Sequence, residues 1–173
     1  MRPEISLKRI LLLCLIALTL CSCAATSTTV VDEEVVTNPK PMATYKSLII
    51  SDFELKKDLI SDAPEESQSD RERRYFKIPS QLAETVERYV KSRHTYASVA
   101  RQGDATATTL VLKGRFTRVG RFRISIVATL HDGATGAEVA YFRQTLWDVI
   151  DATETINLLG RDIADFIDRI QYK

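Results

Sequence analysis

The stretch TLVLKGRFTRVGRFRISIVATL, residues 109–130, contains the clearest structural pattern in this chain. Apolar side chains alternate with polar or charged ones over residues 110–116 and again over residues 122–130. This two-residue period is typical of strands that bury one face and expose the other. Gly120 lies between the two runs and marks a turn. The stretch therefore predicts a pair of antiparallel strands.

The length of the turn decides which side chains lie opposite one another. A two-residue turn would place core-facing residues of one strand opposite water-facing residues of the other. A slip of one residue moves every side chain of a strand to the other face, so this turn is excluded. We expect a three-residue turn, Arg118–Gly120, with the glycine in the left-handed conformation of a bulge. This register pairs Phe116 with Phe122 and places Arg115 directly opposite Arg123.

The same hairpin carries basic side chains on the face predicted to point to water. Because directly opposed like charges destabilise a sheet, we expect another interaction to offset the repulsion between these basic side chains. Solvation or nearby carboxylates are one explanation. The other is an anionic contact, made by a lipid headgroup, an acidic glycan or an acidic patch on a partner. The candidate anion-binding or partner-binding residues are Lys113, Arg115, Arg118, Arg121 and Arg123.

Upstream of this hairpin the pattern predicts a strand, a loop, a helix and a short strand. The first strand covers Tyr45–Phe53, which has a continuous apolar centre. A long polar surface loop follows over Asp58–Arg74. Pro79 is expected as the first residue of a helix, because its missing N–H has no partner there in any case. A short strand is expected at Tyr96–Val99.

Downstream of the hairpin we expect a turn, a third strand and a helix. In the turn Asp132–Gly136, the aspartate accepts backbone hydrogen bonds and the final glycine takes a positive φ. The pattern leaves open which face of the strand Ala137–Trp147 is inward. Apolar residues at helical spacing then predict an amphipathic C-terminal helix, and they are Ile156, Leu159, Ile163, Phe166, Ile167 and Ile170.

The order of these elements, β-α-short β-β-β-β-α, defines the expected fold. Consecutive strands with half-buried patterns form an antiparallel sheet, and amphipathic helices bury their apolar stripe against it. The fold class is therefore α+β, a two-layer sandwich of a mostly antiparallel sheet with two helices packed on one face.

The N-terminal residues differ in composition from the rest of the chain. A basic start, with Arg2, Lys8 and Arg9, precedes the uncharged eleven-residue run Ile10–Leu20. A membrane-spanning helix needs roughly 20 apolar residues, so this run has the length of a signal-peptide core instead. It ends in LCSC, residues 20–23, which resembles the bacterial lipobox.

In a lipobox an aliphatic residue at −3 and a small residue at −1 precede an obligatory cysteine. Leu20 and Ser22 meet this pattern for Cys23 but not for Cys21. The resemblance implies cleavage after residue 22, lipid attachment at Cys23 and, since Ala24 is not Asp, sorting to the outer membrane. Several acyl chains would make the attachment effectively permanent.

Three regions follow from this interpretation. Residues 1–22 form a cleaved lipoprotein signal peptide, residues 23–44 form an acylated cysteine and a flexible tether, and residues 45–173 form a single periplasmic α+β domain. The tether is rich in Thr, Val, Ser and Pro. As an alternative within it, the valine-rich segment Thr29–Val36 would add a strand to a partner.

The sequence predicts no reaction. Its two histidines, His94 and His131, are not part of any His-x-Glu or Gly-x-Ser-x-Gly pattern, and no metal-ligand spacing occurs. Acylation would also remove the single thiol that remains after cleavage. We therefore expect no enzyme activity, no catalytic residues, no cofactor and no metal. The formal net charge of +1, without a basic block, argues against nucleic acid as a partner.

The segments TLVLKGRFTRVG and VATLHDGATGAEVAYF, within Thr109–Phe142, together with the order of elements, resemble small bacterial outer-membrane lipoproteins of the domain of unknown function 4410 type. The layout is also similar to the N-terminal domain of TolB. The resemblance covers about residues 45–170, and its motifs are structural, so no functional residue is carried over. It implies a membrane-tethered, periplasm-facing module that contacts other envelope proteins.

A second function remains open from the sequence. The domain would act as a carrier or sensor of a small amphipathic or anionic ligand held between sheet and helices. A deep apolar cavity lined by Phe116, Phe122 and Trp147 would favour this function over the first.

Overall fold

Seven strands of the described chain form one mixed sheet, and two helices cover one of its faces. The computed structural model describes residues 29–37, 40–55, 70–120, 122–147 and 152–172. The strands are β1 Thr29–Val36, β2 Ser47–Ile50, β3 Glu54–Leu55, β4 Ser98–Ala100, β5 Thr109–Val119, β6 Arg123–Asp132 and β7 Glu138–Trp147. The helices are α1 Asp70–Arg93 and α2 Ala152–Ile170, and a 3-10 turn covers Met42–Thr44.

The sheet order is β1-β7-β6-β5-β2-β4, with β3 paired to β5 beyond β2. Strands β1, β7, β6 and β5 form three successive antiparallel pairs, whereas β2 runs parallel to both β5 and β4, and β3 runs parallel to β5. Helix α1 lies between β3 and β4 in the chain, within the parallel part of the sheet. The predicted α+β class, with two helices on a mostly antiparallel sheet, is confirmed.

The core lies between the sheet and the two helices. On β7, Ala140, Phe142 and Leu146 are buried and lie opposite buried residues of β6, so this face points to the helices. That observation settles the inward face of β7. All six apolar residues predicted for the C-terminal helix are at most 5% exposed, and Phe166 contacts Phe142 with 5.2 Å between ring centroids. No helix in the described ranges is long and apolar enough to cross a membrane.

Helix α1 begins nine residues earlier than the sequence predicts, and this corrects two expectations. Pro79 is not the first helical residue but lies inside Asp70–Arg93. The predicted loop, 58–74, therefore ends in helix at Asp70, and the rest of it lies outside the described residues. A proline normally marks a helix start because it lacks an N–H. Here the charged, helix-favouring residues before it continue the helix upstream.

Part of the expected tether is a strand of the domain itself. Within the predicted tether, 23–44, β1 pairs with β7 from Thr29 to Val36 and forms one edge of the sheet. Glu34 of β1 also forms an ion pair with Arg169 of α2, which attaches the edge strand to the helical layer. The valine-rich segment thus adds a strand to its own sheet. Its alternation was masked by three consecutive acidic residues and by a bulge between Val31 and Glu33.

The turn between β6 and β7 forms as predicted. Asp132 Oδ1 accepts hydrogen bonds from the backbone N–H groups of Ala134 and Thr135, both at 3.0 Å, and Gly136 has φ 70°. Its other oxygen, Oδ2, accepts from Lys40 Nζ at 2.6 Å and from the Tyr45 hydroxyl at 2.8 Å. These bonds, that of Lys40 first, hold the pKa of the Asp132 carboxyl well below its usual range.

Two glycines allow close approaches within the fold. A Cβ on Gly114 of β5 would lie 2.1 Å from the Phe53 ring, and one on Gly160 of α2 would lie 2.5 Å from Thr85 of α1. The first glycine lets the Phe53 ring approach the backbone of β5 closely, and the second lets the two helices pack closely. Both positions therefore exclude a larger side chain without rearrangement.

Candidate functional site

The face of the sheet that points away from the helices carries the basic residues of the β5–β6 hairpin. Along β5, buried Leu112 and Phe116 point to the helices, so Lys113 and Arg115 point to the opposite face, where both are exposed. Arg118 lies on that face too, because it pairs with Ser125 of β6. We call this surface the open face.

The structure places four of the five candidate residues on the open face. These four are Lys113, Arg115, Arg118 and Arg123, and the fifth, Arg121, lies outside the described residues. Cys23, the expected lipid attachment site, also lies outside them.

The predicted hairpin register is wrong by four residues on β6. Arg115 lies opposite Val127, and Phe116 lies opposite Ile126 rather than Phe122. The main cause is the position of the turn: β5 runs on through Arg118 to Val119, which pairs with Ile124, so two of the three residues expected in the turn belong to the strand. Gly120 does not take the expected positive φ. A bulge between Phe116 and Arg118 also changes the register by one residue. Sequence alternation alone does not reveal how far each strand runs before the turn, nor where a bulge lies. The register that forms avoids the direct opposition of two arginines.

Three of the basic side chains have no carboxylate partner within the described chain. Lys113, Arg115 and Arg118 form no ion pair with any described residue, although Glu54 of β3 is the register partner of Arg115. Arg123 differs from them, since its guanidinium lies 4.8 Å from the ring centroid of Trp147, a cation–π contact. Its Nε is buried without a hydrogen-bond partner in the described structure.

A second polar group on the open face was not predicted. Thr145 of β7 donates to Asp32 Oδ2 at 2.7 Å, and its Oγ1 lies 3.1 Å from Ser125 Oγ on β6. Ser125 must then donate to Thr145, which gives a chain of hydroxyls that ends on a carboxylate. Arg143 lies 3.7 Å from the same aspartate. This chain links β1, β7 and β6, and it was missed because Asp32 belongs to the expected tether.

A shallow depression of about 220 Å³ lies on the open face beside these groups. Its lining mixes both charges, with Glu54 and Glu138 facing Lys113 and Arg115. It is smaller than the ~300–1,000 Å³ typical of small-molecule sites. The aromatic trio expected to line a deep cavity is not assembled: Phe116 is buried in the core, whereas Phe122 and Trp147 are 69% and 43% exposed.

The two histidines have ordinary structural surroundings. His131 lies in the depression with Nε2 2.9 Å from Thr129 Oγ1 and Nδ1 3.1 Å from the Gly136 carbonyl. A neutral ring satisfies both contacts when Nδ1 donates and Nε2 accepts. His94 follows α1 with φ 54° and is exposed. Within the described residues, no group of three His, Cys, Asp or Glu side chains is arranged to hold a metal ion.

Comparison with known proteins identifies the fold and no family. No protein-family model matches the chain, and no curated protein matches it. Two solved structures of the PelC dodecamer from Paraburkholderia phytofirmans, one of them a variant with a single leucine-to-methionine substitution, are similar in fold, with TM-scores of 0.53 and 0.52. They are 10% and 11% identical, and each match covers 83% of this chain and 98% of the other. Protein XCC0632 from Xanthomonas campestris matches with a TM-score of 0.45, 15% identity and coverage of 75% and 85%.

Proposed function

We propose that this chain is an outer-membrane lipoprotein, anchored through Cys23, whose periplasmic domain is a non-catalytic interaction module that associates with further copies of itself. The lipobox resemblance supports the anchor. The observation that carries the interaction is on the open face, where Lys113 and Arg115 are exposed and form no ion pair with a described residue. Surfaces of this kind favour an acidic partner surface.

A second copy of the chain offers the complementary charge. Glu33 of β1 pairs in register with Arg143 of β7, so it lies on the open face as well, and it is exposed. Strands β7 and β6 separate β1 from β5, which places Glu33 roughly 14 Å from the strand of Lys113 and Arg115, at about 4.8 Å per strand. The same face thus carries an exposed carboxylate on the edge strand β1 and a pair of exposed basic residues on β5. Such a surface is complementary to another copy of itself.

Two further observations support self-association. Strand β1 is an edge strand of the described sheet, so its outer side presents backbone groups that no described strand pairs with and that suit contact with another chain. The structures of similar fold from Paraburkholderia phytofirmans are described as dodecamers. We infer that the domain works as one unit of an assembly on the membrane, in contact with other envelope proteins.

Charge exchange between copies tests the proposal. The full chain is purified from membranes in detergent, and its mass is measured by sedimentation over a range of concentrations. We expect oligomers for the native chain, and dissociation for Arg115→Glu combined with Lys113→Glu and separately for Glu33→Lys. Mixing the two variants should restore the oligomer, because each then presents the charge that the other needs. Lys77→Glu, an exposed reversal on the helical layer, is the matched control.

The outcomes separate clearly. A native chain that sediments as a monomer at all concentrations would refute self-association. Variants that stay assembled would show that the open face is not the contact. Cys23 is tested separately by mass spectrometry, since an unmodified cysteine in the membrane-extracted chain would contradict the anchor.

The depression beside Lys113 and Arg115 favours a second candidate function, a carrier or sensor of a small anionic ligand. Its limited volume and its two glutamates restrict it to a compact ligand. Inorganic phosphate is the simplest probe. A rise in the melting temperature with phosphate, lost in Lys113→Glu and kept in Lys77→Glu, would support this function over self-association.

A further inference from the structure

One end of the sheet brings together the start of β1, the tip of the β5–β6 hairpin and the end of β7. Val119, Ile124, Leu146 and Thr29 are successive register partners across β5, β6, β7 and β1. Trp147 lies one residue further along β7. We call this the anchor end, and the opposite end carries the Asp132 turn.

The anchor end combines exposed aromatic rings with arginines. Phe122 is 69% exposed at the hairpin tip, and Trp147, the only tryptophan of the chain, is 43% exposed. Arg118 is exposed nearby, and Arg123 stacks on the Trp147 ring. Aromatic rings of this kind settle at the headgroup level of a bilayer, and basic side chains are attracted to anionic lipid surfaces.

The chain that leads to the proposed lipid reaches the domain at this same end. Thr29 follows Cys23 by six positions, and six residues span at most about 20 Å when fully extended. Strand β6 alone has ten residues, so the Asp132 turn lies roughly 30 Å further away. An acylated Cys23 would therefore hold the anchor end close to the membrane and the other end away from it.

We propose that the anchor end docks on a lipid bilayer with anionic headgroups. Phe122 and Trp147 lie at the headgroup level, and Arg118 and Arg123 contact the phosphates. The docking rests on the proposed attachment at Cys23. It adds a fixed orientation to that attachment, with the open face perpendicular to the membrane and accessible to neighbouring copies.

The single tryptophan makes the test direct. The full, acylated chain is reconstituted into phosphatidylcholine vesicles containing phosphatidylglycerol, with or without brominated acyl chains, which quench a nearby indole. We expect loss of most Trp147 emission in brominated vesicles. As a control, Trp147→Phe combined with Ala134→Trp moves the probe to the exposed turn at the far end, where emission should be unchanged.

Two further variants assign the contact to its residues. Phe122→Ser should reduce the quenching of Trp147 in all vesicles, since the aromatic contact is then halved. Arg118→Glu should reduce it in anionic vesicles and have little effect in pure phosphatidylcholine. Lys46→Glu, an exposed charge reversal near the far end, should have no effect in either.

The failures are distinguishable. A chain that is retained by the vesicles but whose Trp147 is not quenched would overturn the docking and leave the lipid anchor intact. Stronger quenching of the probe at residue 134 than of Trp147 would overturn it as well. A chain that the vesicles do not retain would refute both the anchor and the docking that depends on it.

Discussion

Asp132 organises the end of the sheet opposite the start of β1. Five donors surround its carboxylate: two backbone N–H groups and one hydroxyl within the turn, and Lys40 and Tyr45 from the segment before β2. Two parts of the chain about ninety residues apart are therefore joined at one side chain. The same bonds raise the pKa of the Lys40 ammonium, chiefly through Asp132, so the pair favours its charged form.

Stability should depend on the ionisation of Asp132. Its pKa lies below the ordinary 3.8, so the ionised carboxylate stabilises the folded state above that value, and this contribution is lost as the pH falls through and below it. Asp132→Asn should therefore unfold at lower urea than the native chain at about pH 7, and the difference should shrink at about pH 3. Asp104→Asn, an exposed control, should change neither midpoint. A constant difference at both pH values would contradict the ionic role.

Single residues show which parts of the site a sequence can reveal. The positive φ of Gly136 and the acceptor role of Asp132 were predictable because both are local properties of a five-residue turn. The partner of Arg115 was not, because the apolar pattern does not show that β5 runs on to Val119 before it turns, nor that a bulge follows Phe116. The two-residue period of the sequence thus predicted which side chains lie on the open face, but it did not predict which residues lie opposite one another there.

The helices and strands also differ in how well the sequence predicts them. Helix α2 was predictable because its six apolar positions repeat at helical spacing and all are buried. Strand β1 was not, because its pairing with β7 joins residues more than a hundred positions apart. Helix α1 was predicted to start at Pro79, since local rules place proline at a first turn and do not reveal a helix that continues through it.

Strand β1 should behave as part of the folded domain in solution. Its backbone N–H groups that point to β7 are hydrogen-bonded, and the ion pair of Glu34 with Arg169 holds the strand in place. Both contacts slow the exchange of these N–H groups with water. In the full chain, hydrogen exchange of the β1 amides that face β7 should be slower than that of the exposed segment 102–107 by about tenfold or more. Exchange of β1 at the rate of that exposed segment would show that the edge strand is open.

The two contacts that we propose lie at different places on the whole molecule. The end of the sheet carries aromatic rings and arginines beside the start of β1, and the open face carries Lys113 and Arg115 some distance along the strands. The periodicity of the sequence predicted the fold class. It did not predict that the aromatic rings and the basic pair lie at different places, because that depends on which strand ends meet across the sheet. We infer that membrane attachment and self-association use different surfaces and respond differently to their surroundings.

Salt should therefore separate assembly from anchoring. The proposed contact between Glu33 of one copy and Lys113 and Arg115 of another joins exposed charges. Such charges are screened when the Debye length falls from about 10 Å at 0.1 M to about 3 Å at 1 M. Acyl chains are not screened. In vesicles, chemical crosslinks between copies of the full chain should decline over this range while the chain remains bound. Lys77→Glu should show the same decline. Crosslinking that is unchanged in 1 M salt would assign the contact to apolar surface instead of charge.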